Sequence, residues 1–386
     1  MAMSMAAPLL VGQPPTKFTA SKILILTIPH GTAHQRVANA LKQTLSAIRP
    51  DLRIEVVNVL DHCPRWFRFY YNSYEIPLKY WPSLWGWIEN LQHTHASTGP
   101  SWLFHRGARR LLRFMRAFDP DIVIATEVGI CEIVAMIKRE TKKCFYLVGA
   151  PPGADIDRAW VQPEVDLYAV APGEAATILQ TERVPHPKVL ACGVPIDPLF
   201  ASLPEKATAS RHLQVDPEIP LVVVQFGGTG YGNARRIFAE LQKLRRPAQV
   251  VFISGRNPSI AAELARLCAG NSRCRVLQWV DNIHEWMAAA DLLIGKPGGT
   301  VMMEALSAGV PLLAFDPLPG EERRNSNLIE KWGVGYWVRS DRDLASTIER
   351  LLADPKERYG MRERALARAR PRAALEAAEA ILRFAV

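Results

Sequence analysis

Short apolar runs alternate with stretches of helical spacing along most of the chain. Apolar runs of this length, without polar alternation, are typical of strands buried on both faces of a parallel sheet. In the first half they predict strands at 21–28, 53–59, 120–126, 144–148, 167–170 and 188–192. In the second half they predict strands at 220–226, 249–254, 276–280, 292–294, 310–315 and 336–338. The pattern therefore indicates two α/β halves of similar size.

The apolar rhythm weakens between the halves, near residues 197–215. A chain of 386 residues has the length of two domains. We therefore predict an N-terminal domain at 21–200, a C-terminal domain at 215–370, and a helix at 371–386 that packs back on the first domain. Residues 1–20 are apolar but lack the basic start and cleavage site of a signal peptide, so a disordered lead is expected there.

One aromatic and basic segment, 61–118, interrupts the rhythm. It has eight Lys and Arg against three Asp and Glu. Trp and Tyr favour membrane interfaces, and basic side chains favour anionic lipid head groups. The alternative is a helical insertion with inward-packed aromatics and solvated arginines. Membrane contact is predicted for Trp66, Trp81, Trp85, Trp87 and Trp102.

Composition narrows the classes of function. The formal charge of +9 suits nucleic acid, an anionic membrane surface or a phosphorylated substrate, and no nucleic-acid module is recognisable. No run of 18 apolar residues is present, so no membrane span is expected. The six cysteines form no CxxC pair and no cluster with histidine, which favours reduced cytosolic thiols and no metal site.

Glycine-rich turns follow four predicted strands of the second half, at 227–233, 254–257, 298–300 and 320–325. Carboxyl ends of parallel strands share one edge, so these turns are expected to line one cleft. Gly298 and Gly299 allow a ligand close to the backbone, and Thr300 is a predicted N-cap of a helix whose start attracts anions. Glu304, one turn further, suits ribose hydroxyls. A tight strand-to-helix turn with a surface glutamate is the alternative.

Other polar side chains are predicted at these edges. Arg256 offers a cation for phosphate, although a plain surface arginine is the alternative. Glu322 and Asn325 suit sugar hydroxyls. His30 and His34 follow the first strand, where ligands of such sheets bind, although a histidine in a loop is commonly structural or solvated.

The segments GGTGYGN, SGRN, GKPGGTVMMEALSAGVPLL and PGEERRN, in this order and spacing, resemble the nucleotide-binding half of a glycosyltransferase family. This family, number 28, includes monogalactosyldiacylglycerol synthase, processive diacylglycerol glucosyltransferase and the lipid II-forming MurG enzymes. The resemblance implies a GT-B fold, with two facing Rossmann-like domains, parallel sheets and a deep interdomain cleft. It also implies a UDP-sugar in the C-terminal cleft, a lipid acceptor on the N-terminal domain, and attachment to the cytoplasmic face of the membrane.

By this resemblance, His34 is the expected catalytic base, with His30, Asp155 and Asp157 in reserve. The nucleotide is expected at Gly228, Thr229, Ser254, Arg256, Val280, Gly298, Gly299, Thr300 and Glu304, and the donor sugar at Gly320, Glu321, Glu322 and Asn325. Two departures from the family pattern stand out. Pro29 replaces an Asp and Gly31-Thr32-Ala33 replaces three glycines in the first loop, while Glu321 replaces a Gln.

The function implied is an inverting transfer of a hexose from a UDP-sugar to a lipid such as diacylglycerol, without a tightly bound cofactor or metal. Two alternatives stay open. A UDP-sugar 2-epimerase shares the fold and the glycine turns. A non-catalytic sugar-nucleotide-binding homologue would follow if the altered first loop has lost its base.

Overall fold

The computed structural model describes residues 21–29, 32–73, 75–95, 98–228 and 233–383. The predicted lead at 1–20 lies outside these ranges, as do His30 and Thr229. The backbone of Trp85 is described, but its side chain is not.

Two six-stranded parallel sheets form the core of the described residues, which confirms the predicted fold class. The N-terminal sheet has the order β2-β1-β3-β4-β5-β6. Strand β1, between β2 and β3, is buried on both faces, with Ile23 to Leu26 fully buried, as the continuous apolar run predicts. The strands are β1 (Lys22–Thr27), β2 (Arg53–Asn58), β3 (Ile122–Ala125), β4 (Tyr146–Gly149), β5 (Leu167–Ala169) and β6 (Val189–Leu190).

The C-terminal sheet has the order β12-β11-β10-β7-β8-β9. In register, Ile294 of the central strand β10 lies between Val224 of β7 and Leu313 of β11, and all three side chains are fully buried. The strands are β7 (Leu221–Gln225), β8 (Gln249–Ile253), β9 (Cys274–Leu277), β10 (Leu292–Gly295), β11 (Leu312–Phe315) and β12 (Gly335–Val338).

Helices connect successive parallel strands in both halves of the chain, as in doubly wound α/β folds. Those of the first half outside the 61–118 segment are α1 (Ala33–Ile48), α7 (Val128–Thr141) and α8 (Glu174–Thr181). Helix α9 (Lys206–Leu213) follows the first sheet. The second half has α10 (Ala234–Leu241), α11 (Pro258–Leu267), α12 (Ile283–Ala289), α13 (Gly299–Ala308), α14 (Glu321–Trp332), α15 (Asp341–Ala353) and α16 (Pro355–Arg368), and the chain ends in α17 (Ala373–Leu382).

The aromatic and basic segment is helical. Phe67 is fully buried against Tyr71 and Phe104, so part of the aromatic content does pack inward. In contrast, Trp66, Trp81, Trp87 and Trp102 are 45%, 59%, 62% and 61% exposed. The segment comprises α2 (Arg65–Asn72), α3 (Glu75–Tyr80), α4 (Pro82–Thr94), α5 (Ser101–Gly107) and α6 (Arg109–Phe118).

Several helices begin earlier than the apolar pattern predicts. Helix α1 begins at Ala33 and α14 at Glu321, so His34 and Glu322 lie in first helical turns, although the sequence placed them in loops. The physical reason is that these first turns face the gap between the sheets. Their side chains are polar, so the apolar period becomes visible only one turn later.

The last helix returns to the first domain. Helix α17 packs on α1, and Ala377, Ala378 and Ile381 are fully buried in the core of the N-terminal sheet. Small alanine side chains let the two helices approach closely, while Ile381 fills the remaining space.

We predict that Ile381→Ala lowers the free energy of unfolding of the first domain by about 2–5 kcal/mol, because it leaves a cavity in that core. Urea denaturation followed by circular dichroism measures the change. The exposed neighbour supplies the control, since Glu379→Ala is expected to change the free energy by no more than about 0.5 kcal/mol. Equal effects of the two substitutions would show that the helix does not depend on its buried face.

Candidate active site

The four glycine turns follow β7, β8, β10 and β11, at the carboxyl edge of the second sheet. Two of them stack backbone on backbone. A Cβ on Gly255 would lie 2.3 Å from the carbonyl oxygen of Gly227, and both residues have positive φ. Glycine is therefore required where these turns meet.

Helix α13 begins directly after the third turn. Its N-cap is Gly298, not Thr300 as the sequence predicted, and Thr300 is the second residue of the helix. With the extended Gly298 as N-cap, the helix begins two residues earlier than it would with Thr300 as the cap. Gly298 has no side chain to cap the first N–H groups, so these donors and the helix dipole can act on an anion.

In the turn after β8, Ser254 and Arg256 contact other parts of the protein, although both were expected to face the nucleotide. The hydroxyl and the N–H of Ser254 both donate to the carbonyl oxygen of Leu277, at 3.2 and 2.9 Å, which ties the ends of β8 and β9 together. The Arg256 guanidinium lies 4.1 Å from the centre of the Trp279 ring. Trp279 and Val280 lie just after β9, not within it, and form a partly exposed surface beside the turn that carries Arg256.

Glu304 is the most unusual side chain of this edge. It is fully buried, and Arg36 of α1 reaches its Oε1 from the other domain at 2.8 Å. Neither carboxylate oxygen has a hydrogen-bond partner among the described residues. Burial raises the pKa of Glu304 to about 7, against the opposing effect of Arg36. Arg36 balances part of the charge, but two acceptors without a completed hydrogen bond at a buried carboxylate fit a ligand that brings a pair of hydroxyls.

The first turn of α14 forms the next part of the edge. Asn325 is fully buried, and its Nδ2 donates to the carbonyl oxygen of Pro297 at 2.8 Å, which connects α14 to the turn before α13. Its Oδ1 has no hydrogen-bond partner among the described residues. Glu322 accepts from the N–H of Leu318 at 2.6 Å. Burial raises the pKa of both Glu321 and Glu322.

His34 contributes from the opposite domain. Its Nδ1 lies 2.6 Å from the carbonyl oxygen of Thr126, after β3. A carbonyl only accepts, so Nδ1 carries the proton and a neutral ring presents its lone pair on Nε2. Burial raises the pKa of Glu321, and the charge of Arg324 and, in its protonated form, of His34 opposes that rise.

The two edges are in contact. A Cβ on Gly299 would lie 2.2 Å from the carbonyl oxygen of Pro152, and a Cβ on Gly228 would lie 1.8 Å from Cγ2 of Thr32. The cleft is therefore closed, and glycine at these two positions is needed for the closed contact.

Of the reserve bases, Asp155 and Asp157 lie at this contact and are engaged by other side chains, whereas His30 lies outside the described residues. Asp155 pairs with Nε of Arg324 at 2.9 Å, and Asp157 pairs with Nδ1 of His93 at 2.9 Å. Both carboxylates are therefore already engaged by neighbouring side chains. Among the candidates that the structure describes, His34 is thus the side chain best arranged to accept a proton.

Sequence reasoning missed Arg36, Glu89, His93, Thr126 and Arg324. Two of these residues could have been suspected from the sequence. Arg36 follows the expected base His34 by two residues, and Glu89 is one of only three acids in the 61–118 segment. Thr126 acts through its backbone carbonyl, so its residue type gives no indication.

The described part of the chain has neither a group of metal ligands nor a membrane-spanning helix. Among the described residues, no group of three or more His, Cys, Asp and Glu side chains is placed to hold a metal ion. No helix within the described ranges combines the length and the apolar character needed to cross a bilayer.

Solved structures share the architecture. MurG of Acinetobacter baumannii superposes with a TM-score of 0.60 at 12% identity, covering 94% of this chain and 99% of that one. UDP-GlcNAc 2-epimerase of Neisseria meningitidis, solved with UDP-GlcNAc bound, gives a TM-score of 0.61 at 13% identity, covering 94% and 99%. At such identities the likeness concerns the fold.

Relatives found by sequence have higher identity to this chain than these solved structures do. Processive diacylglycerol beta-glucosyltransferase of Bacillus cytotoxicus is 26% identical over 369 residues, which cover 94% of this chain and 93% of that protein. The match thus extends over both domains and over the segment between β2 and β3.

We predict that Glu304→Gln makes the folded protein less sensitive to rising pH. Because burial raises the pKa of Glu304 from 4.5 to about 7, its stabilising proton is fully bound below pH 4.5 and is lost as pH rises to 7. Glutamine keeps the neutral state, so at pH 8 the variant gains on the order of 3 kcal/mol over the native protein. Urea denaturation at pH 5 and pH 8 measures this.

The matched control is Glu363→Gln, at an exposed position of α16, which should leave the pH dependence unchanged. A Glu304→Gln variant that loses stability between pH 5 and pH 8 as the native protein does would contradict the burial of this carboxylate.

Family models cover the two halves separately. Residues 34–196 match the model for monogalactosyldiacylglycerol (MGDG) synthase, and residues 212–368 match the model for glycosyl transferases group 1. The first match includes His34 and Arg36, and the second includes Glu304 and the start of α14. The chain therefore combines a monogalactosyldiacylglycerol synthase domain with a glycosyl transferases group 1 domain, and over most of its length it is similar to processive diacylglycerol beta-glucosyltransferase.

Proposed function

We propose that this enzyme transfers a hexose from a UDP-sugar to the hydroxyl of a lipid such as diacylglycerol, with inversion at the anomeric carbon. One observation carries the proposal. The buried Glu304, whose two acceptor oxygens complete no hydrogen bond among the described residues although Arg36 lies 2.8 Å from one of them, lies one turn into a helix whose start no side chain caps. A nucleoside diphosphate supplies both missing partners, because its ribose donates hydroxyls and its diphosphate is an anion.

The reaction follows from the two facing edges. The lipid hydroxyl attacks the anomeric carbon, the bond to the diphosphate breaks, and UDP leaves with additional negative charge. The N–H groups at the start of α13 stabilise that charge, because they are fixed in direction before the reaction. Nε2 of His34 takes the proton of the attacking hydroxyl, since the bond from Nδ1 to Thr126 holds the ring in the required tautomer.

The donor sugar is assigned to Gly320, Glu321, Glu322 and Asn325. Asn325 is fully buried with one unpartnered oxygen among the described residues, which suits a sugar hydroxyl. Glu321, where the family pattern that the sequence resembles has Gln, adds a carboxylate that accepts but does not donate unless protonated. This difference bears on which hexose is chosen.

A membrane surface is the proposed site of action, on the cytoplasmic face. Exposed tryptophans of α2 to α5 lie in the same segment as the exposed Arg106, Arg109, Arg110, Arg113 and Arg116. Among the described residues no ion pair joins these five arginines to a carboxylate. Aromatic rings beside unpaired cations suit anionic lipid head groups.

Incubation with labelled UDP-glucose and UDP-galactose and with vesicles that contain diacylglycerol tests the function. Labelled glycolipid is the expected product. Formation of an altered UDP-sugar would support a 2-epimerase instead, and binding without any product would support a non-catalytic homologue.

Substitution of the proposed base gives a sharper result. We expect His34→Ala to reduce kcat by about 10²–10⁴-fold while UDP affinity stays within a few-fold, because the base acts on the acceptor and not on the nucleotide. Steady-state kinetics and calorimetry measure the two quantities. Gln35→Ala is the control, because Gln35 pairs with Asn39 on the exposed side of α1. Turnover of His34→Ala at the rate of this control would remove His34 from the role.

For the membrane surface, we expect the double variant Trp81→Ala, Trp87→Ala to bind anionic vesicles about tenfold more weakly, since two interfacial side chains are lost. Vesicle sedimentation measures binding, which should also weaken as salt is raised. Tyr359→Ala, at an equally exposed aromatic of the second domain, is the control. Undiminished vesicle binding by the double variant would return these tryptophans to ordinary surface positions.

A further inference from the structure

Helix α4 belongs to the N-terminal domain but lies against the donor-side loops of the other domain. Gly86, Glu89 and His93 are spaced by three and four residues, so they share one face of the helix. A Cβ on Gly86 would lie 2.9 Å from Cβ of Pro319, which brings the helix axis close to the turn before α14. His93 pairs with Asp157 at 2.9 Å and with Asp155 at 3.4 Å.

Glu89 makes the decisive contact of this face. Its Oε1 accepts a hydrogen bond from the N–H of Glu321 at 2.6 Å, at the start of α14. Its carboxylate lies over Gly320, where a Cβ would come within 1.8 Å of it, so only glycine admits Glu89 there. Nη2 of Arg324 lies 3.6 Å from the same oxygen.

Glu89 supplies a hydrogen-bond acceptor that the start of α14 lacks. The N-cap of this helix is Gly320, which has no side chain to bond the first N–H groups. An anionic acceptor at a helix start stabilises the first turn and fixes its direction. Here the acceptor comes from the opposite domain, and the turn that it fixes contains Glu321, Glu322 and Asn325.

We propose that Glu89 is a positioning residue of the donor-sugar site, which the acceptor-binding domain contributes only when the cleft is closed. The inference rests on the proposed function. Glu89 holds the first turn of α14 in place, so the side chains assigned to the sugar are aligned when both domains meet. The nucleotide half of the donor is bound by α13 and does not depend on this contact.

The opposite face of α4 gives the arrangement a second consequence. Leu84, Trp87 and Leu91 share that face and are 47%, 62% and 38% exposed. The helix that caps the donor-sugar turn thus also carries part of the proposed membrane surface. A lipid substrate would therefore arrive beside the contact between Glu89 and Glu321.

Kinetics of Glu89→Ala, Glu89→Gln and the control Asn90→Ala test the inference. Asn90 is exposed on the same helix. We expect Glu89→Ala to lower kcat/KM for the UDP-sugar roughly tenfold, while the Kd for UDP alone stays within about twofold of the native value. Glu89→Gln should recover most of the loss, because a carboxamide oxygen still accepts from the N–H of Glu321. Asn90→Ala should match the native protein.

Three results would overturn the inference: native kcat/KM in Glu89→Ala, an equal loss of affinity for UDP alone, or a Gln variant as impaired as the Ala variant. The second would assign Glu89 to general closure of the cleft, and the third to the ion pair with Arg324. If the native protein transfers no sugar, the proposed function fails, and calorimetry still decides the role of Glu89. If the native protein binds UDP-sugar more tightly than UDP and Glu89→Ala removes this preference, the role of Glu89 is supported. If the variant keeps the preference, the role is contradicted.

Discussion

The closed arrangement of this protein depends on a carboxylate that the chain itself does not satisfy. Glu304 is fully buried in the first turns of α13, and Arg36 of the opposite domain approaches it at 2.8 Å without completing a hydrogen bond to either oxygen. Burying a charge without full compensation is unfavourable, so such a group persists where a ligand supplies the missing donors. The ion pair also brings α1, and with it His34, to the edge that carries the glycine turns.

Most of the fold follows from the apolar runs. Strands such as β1 and β10 are buried on both faces, so their sequences contain few polar residues and can be recognised without knowledge of their neighbours. Helix starts were harder to place. The first turns of α1, α13 and α14 face the cleft, so their polar residues interrupt the apolar period that identifies a helix.

The site could be predicted in part, for a related reason. Residues such as Glu304 and Asn325 lie beside glycine turns on their own chain segment, so local sequence indicates them. Arg36, Glu89 and Arg324 act across the cleft, and their partners are far away in sequence. Glu89 and Glu321, for example, meet only because two domains close on each other. No local pattern encodes that contact.

The cleft combines a helix start that no side chain caps, a buried carboxylate and an oriented imidazole, each fixed by a different element. Helix α13 is separate from α14 and from the aromatic segment, so a change in one of these parts need not alter the others. Under the proposed function, the two domains must meet before the chemistry is complete.

The central claim is that Glu304 holds the ribose hydroxyls of the nucleotide. Calorimetry of UDP and of 2′,3′-dideoxy-UDP, each with the native protein and with Glu304→Ala, tests it as a double-mutant cycle. The account predicts that native protein prefers UDP by roughly tenfold or more, as expected for hydrogen bonds to a charged group, and that the variant binds both nucleotides equally. An equal preference in the two proteins would contradict it.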